Sequence, residues 1–102
     1  MFMNKYDKVI ENANIALSFG KNTETQIMLA SAYSLTGKYD NARMELEDVL
    51  NIDPKNKTAL LGLSVVFSKT DNKQKAIEIL KKAQGYYPDD SEIKKQLGEI
   101  DK

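Results

Sequence analysis

The sequence contains no cysteine and no histidine. Without cysteine it can form no disulfide, no thiolate nucleophile and no thiolate-bound zinc site. That absence fits reducing and oxidising compartments alike, so it leaves location open. Without histidine the chain lacks the commonest general base and the commonest metal ligand. Net charge is missing as well, since Lys+Arg and Asp+Glu both number 15. No overall field draws in nucleic acid or an anionic membrane, and neither is expected as a partner. A long hydrophobic run is also lacking. The most apolar stretch, 59–67, is broken by Gly62 and Ser64 and falls far short of the ~20 residues of a spanning helix. Membrane insertion is therefore not expected. Residues 1–7 bring in polar and acidic side chains too early for a secretory signal, which makes cytoplasmic the expected location.

What the sequence does have is repetition. Its 102 residues suit one domain, and a 41% hydrophobic content is enough to fill a single continuous core. Pro54 and Pro88 are 34 residues apart, as are Ala42 and Ala76, Leu46 and Leu80, Tyr33 and Phe67, and Asn51 and Gly85. Leu29, Leu63 and Leu97 extend the series to three, each followed by a small residue (Ala30, Ser64, Gly98). A period of this length marks a stacked array of small structural units.

Each unit reads as two helices. Over 23–36, Gln26, Leu29, Ala30 and Tyr33 fall on one helical face, with Asn22 or Thr23 as N-cap and Gly37 ending the helix. A second helix from about Tyr39 to Leu50 carries Tyr39, Ala42, Leu46, Val49 and Leu50 inward, with Asn51 at C′ and Pro54 as a stop. The next unit repeats this with a cap at Asn56 and an inner face of Leu60, Leu63, Ser64 and Phe67. Asp71-Asn72 forms its turn, Ala76, Leu80 and Ala83 face inward, and Gly85 and Pro88 close it. One helix precedes these units, roughly Asn4 to Ser18, with Tyr6, Val9, Ala13, Ala16 and Leu17 in the second-helix pattern. One follows them, about Ser91 to Ile100, with Asp90 as cap. The expectation is an all-α chain of six helices. Its parts are an N-terminal helix in 1–20, full units at 23–56 and 57–90, and a capping helix in 91–102.

The residues Leu29, Ala30, Tyr33, Gly37, Tyr39, Ala42, Leu46, Val49, Leu50 and Pro54 resemble the tetratricopeptide repeat (TPR). So do Leu60, Leu63, Ser64, Phe67, Ala76, Leu80, Ala83 and Pro88 in the second unit. The resemblance implies a right-handed α-solenoid of antiparallel helix pairs, two full TPR units with a half-unit at each end. Gln26 and Lys94 depart from it, standing where the family prefers a large apolar residue. For Lys94, an exposed face on a terminal helix is a sufficient reason.

The resemblance also implies a concave groove, lined by first helices, that holds a peptide or helix. Helical geometry points to the same surface independently, because Ile27, Ser31 and Ser34 lie about half a turn from their helix's core face. Leu61, Val65 and Ser68 take the same places one unit on, with Leu35 and Thr58 at the margin. Lys95 and Glu99 would add polar contacts at one end. The expected partner is a protein or peptide with an apolar stripe. The plainer alternative is that these residues only pack neighbouring first helices together. One TPR subgroup grips a C-terminal carboxylate with Lys and Asn, at positions occupied here by Ile27 and Ser31, so that clamp is absent.

A second class of function is self-association, as a homodimer or larger scaffold, through repeat-end residues including Phe2, Tyr6, Ile10 and Ala13. Ile10, Ile15 and Phe19 read as apolar positions away from the inner stripe of that first helix. Catalysis is not expected, because no spacing brings two carboxylates onto a shared pocket and no phosphate-loop pattern occurs. No cofactor or metal is implied. The interleaved lysines at 73, 75, 81, 82, 94 and 95 read as a solvated face.

Overall fold

The computed structural model describes residues 5–100. Six α-helices and no strand occur among them: α1 (Lys5–Ser18), α2 (Thr23–Leu35), α3 (Tyr39–Ile52), α4 (Lys57–Lys69), α5 (Lys73–Tyr86) and α6 (Ser91–Ile100). Each helix packs on the next, and α2 also packs on α4. The stack is elongated, 41 × 28 × 19 Å, as expected when each unit meets only its neighbours.

Capping chemistry sets the helix starts. Asn22, Asn56 and Asp90, at intervals of 34, precede α2, α4 and α6. Their side-chain oxygens accept from the N–H groups of Thr25 (3.0 Å), Ala59 (2.9 Å) and Ile93 (3.0 Å). Each thereby satisfies one of the four donors that a helix start leaves unpaired.

Left-handed residues end the first helix of each pair. Gly37 sits at φ +78°, and the Lys38 N–H returns to the Tyr33 carbonyl at 2.8 Å. Asp71 holds φ +58° in the equivalent place, with the Asn72 N–H bonded to the Phe67 carbonyl at 2.8 Å. Both follow the Schellman pattern. The second helices end differently from the sequence expectation. α3 runs through Asn51 to Ile52, and α5 runs through Gly85 to Tyr86, so neither residue is a C′ cap. The stop comes from Pro54 and Pro88, which push the residues before them, Asp53 and Tyr87, out of the helical region.

The main core joins Leu29, Ala30 and Tyr33 of α2 to Ala42, Leu46 and Val49 of α3 and to Ala59, Leu63, Val66 and Phe67 of α4. A second cluster of Leu60, Ala83 and Ile93 carries the packing on to α6. Helices α2 and α4 each touch three others, so Ala32 and Val66 are buried along with the expected inner faces. Two terminal details differ from expectation. The anchor of α6 is Ile93, which is fully buried, whereas Leu97 is half-buried and Gly98 exposed. In α1 only Ala13 is buried, and Ala16 is exposed.

The α3–α4 and α5–α6 connections are held together by several contacts. The Tyr87 hydroxyl donates to the Lys55 carbonyl, Lys57 pairs with Asp90 at 2.7 Å, and the Lys55 ammonium lies 5.5 Å from the centre of the Tyr86 ring.

Candidate functional site

Side chains at half a turn from the core faces of α2 and α4 converge on one groove of about 420 Å³. Ile27, Ser31, Ser34 and Leu35 reach it from α2, and Thr58, Leu61 and Val65 from α4. These are seven of the ten residues singled out in the sequence. Its floor is Ala30, Leu46 and Gly62, which sequence reasoning had assigned to the core or left aside. Gly62 is the telling one. A Cβ there would stand 3.3 Å from the Leu46 Cδ1, so the missing side chain opens the floor and lets α4 sit close to α3. A glycine inside an apolar helix was the available signal.

The groove lining contains no charged side chain. Its polar side-chain groups are the hydroxyls of Ser31, Ser34 and Thr58. Such a surface offers apolar contact with a few hydrogen bonds, and nothing that would activate a nucleophile or hold an ion. No group of three metal-binding side chains occurs among the described residues.

The remaining expected residues are placed apart from that groove. Ser68 and Glu99 line a smaller hollow of about 220 Å³ between α4 and α6, which shares Val65 with the main groove. Lys95 is exposed and lines neither. The expectation that Ile27 and Leu61 stand clear of the core needs correction. Both are half-buried, Ile27 against the main core and Leu61 against the Leu60–Ala83–Ile93 cluster, whereas Val65 at 37% and Leu35 at 63% exposure are free.

The proposed self-association residues are placed as follows. Phe2 lies outside the described residues, and Tyr6 is half-buried. Ala13 is 4% exposed and Ile10 packs on the same core, so α2 already covers both, and Ile10 faces inward rather than away. Ile15 and Phe19 are open, as the sequence suggested.

Gln26, which the sequence left unexplained, belongs to a polar cluster between α2 and α3. Its Nε2 donates to Asp48 Oδ2 at 2.6 Å and to Glu45 Oε1 at 3.4 Å. The Gln26 hydrogen bond and, after it, the Lys21 ammonium hold the Asp48 carboxyl below its ordinary range. Lys57 acts in the same way on Asp90, helped by the Ile93 N–H, while Asp90 raises the Lys57 ammonium above its ordinary value. These pairs join helices and do not face the groove.

Comparison with known proteins agrees with the all-α repeat fold. The model of the tetratricopeptide repeat family matches residues 35–100, from the end of α2 through α6. The chain belongs to the tetratricopeptide repeat family. Repeats of this family generally mediate protein–protein interaction. A search of curated proteins finds no significant match. No helix of the described residues is long and apolar enough to cross a membrane.

Proposed function

We propose that the TPR groove between α2 and α4 holds a peptide or helix of a partner protein through apolar side chains. One observation carries the reading: Ile27, Leu35, Leu61 and Val65 meet over a Leu46–Gly62 floor in an uncharged concave surface. The volume of about 420 Å³ accommodates two or three aliphatic side chains, the usual anchors of an amphipathic helix in a groove. Hydroxyls at Ser31, Ser34 and Thr58 supply orientation without charge selection. The partner is therefore recognised by an apolar stripe and not by an acidic tail or a terminal carboxylate.

Selection from a displayed random-peptide library tests this. Peptides selected on the wild-type chain share aliphatic residues at i and i+3 or i+4, and the variant Leu35→Lys with Val65→Lys binds them roughly tenfold or more weakly. Both positions are exposed, so the variant keeps its helical content. Selected peptides that bind this variant as well as the wild type would refute the reading.

A further inference from the structure

We propose that copies of this chain stack head to tail, with α6 of one copy and α1 of the next completing a shared repeat. The helices are in complementary phase, since α1 lies 34 residues before α3, a second helix of a pair, and α6 lies 34 after α4, a first helix. The first and last described helices thus each present one half of a pair. The surfaces left open are those that equivalent residues bury inside the stack. Gly98 is exposed where Ala30 and Ser64 are each 1% exposed, and Ile15 is 53% exposed where Val49 and Ala83 are at 0%.

Charge matching at one recurrent contact selects a second copy as the occupant. In the first pair, Gln26 meets Glu45 at 3.4 Å, polar with polar. In the second, the equivalent residues Leu60 and Ile79 share one apolar cluster. In the composite pair the same positions hold Lys94 and Glu11, cation with anion. Polar Lys8 and Asn12 stand where Ala42 and Leu46 are buried, which makes this seam weaker than the internal ones and its formation dependent on concentration. The contact uses different surfaces on its two sides, so it propagates instead of closing on a dimer. It rests on the ends of the stack and stands apart from what the groove binds.

Analytical ultracentrifugation of the chain at low ionic strength, over a wide concentration range, tests this. The average mass rises continuously past two copies. Lys94→Glu alone and Glu11→Lys alone each weaken association roughly fivefold or more, at low salt where the pair is least screened. An equimolar mixture of the two variants restores it, because every seam then joins opposite charges. Gly98→Gln, where a Cβ meets nothing within 4 Å in the single copy, abolishes association while the melting temperature stays or rises. A constant monomer mass, a plateau at two copies, or variants that associate like the wild type would each overturn the proposal.

Discussion

Gln26 donates through Nε2 to Asp48 Oδ2 at 2.6 Å, while its Oε1 is buried with no partner among the described residues. Half of one amide is thus well satisfied and half is not, at a position where the next repeat has Leu60, 1% exposed. A buried orphan acceptor costs about 1–3 kcal/mol, and Asp48 keeps Lys21 as a partner when the Gln26 bond is removed, so an apolar side chain here removes the cost without stranding the carboxylate. Gln26→Leu is therefore expected to stabilise the fold by about 1 kcal/mol. The check is a denaturant midpoint that rises with the slope unchanged. A lower midpoint would show that the Gln26–Asp48 bond outweighs the orphan.

Acid sensitivity follows from Asp48 and Asp90, whose carboxyls are both held below the ordinary range in the fold. A depressed folded value contributes stability that is fully present above the unfolded pKa of about 3.9 and is lost as pH falls through the folded value. Asp90→Asn keeps a capping oxygen for the Ile93 N–H, as Asn22 and Asn56 do for their helices, but removes the charge paired with Lys57. This variant is expected to show a flatter acid limb in thermal melts between about pH 4 and pH 2. Lys57 has a raised value, so its share is present at neutral pH and fades only as pH climbs past about 10.4. An unchanged acid limb in Asp90→Asn would contradict the assignment.

The turns make a paired prediction. Gly37→Ala forces a Cβ into φ +78° and is expected to cost about 1–2 kcal/mol. Asp71→Gly relaxes φ +58° in the equivalent turn and is expected to be neutral or stabilising. Chemical denaturation of the two variants side by side checks the opposite signs.

For α6, Ile93→Ala is expected to cost about 2–5 kcal/mol, and Leu97→Ala clearly less, because only Ile93 is fully sealed. Amide hydrogen exchange along α6 would register the difference as faster exchange in the first variant.

The same helix shows why some of the fold was legible in the sequence and some was not. Comparing positions 34 apart finds residues of like kind, so Leu29 with Leu63 announced inner faces, while residue type alone pointed to Asn22 or Thr23 and to Asn56 as caps. Ile93 escaped because its counterparts are Thr25 and Ala59, small residues that mark no pattern. Asn51 and Gly85 read as helix ends by residue type, yet the proline three residues on sets the stop. In the groove, a face half a turn from the core was found from α2 and α4 alone. Its depth was not, since that depends on how close α4 comes to α3 at Gly62 and Leu46. Ile27 is drawn onto the main core and Leu61 onto the Leu60–Ala83–Ile93 cluster by packing between helices, a tertiary effect that helical spacing within one element does not contain.

The most direct test of the groove is an amide-resonance NMR titration of the chain with a synthetic amphipathic helical peptide bearing leucines at i, i+3 and i+7. Binding in the groove produces saturable shifts concentrated at Ser31, Ser34, Leu61 and Val65, which are lost in Leu35→Lys with Val65→Lys. Shifts centred instead on exposed α3 residues outside the groove, Met44 and Ile52, or a titration that this variant leaves unchanged, would contradict groove binding.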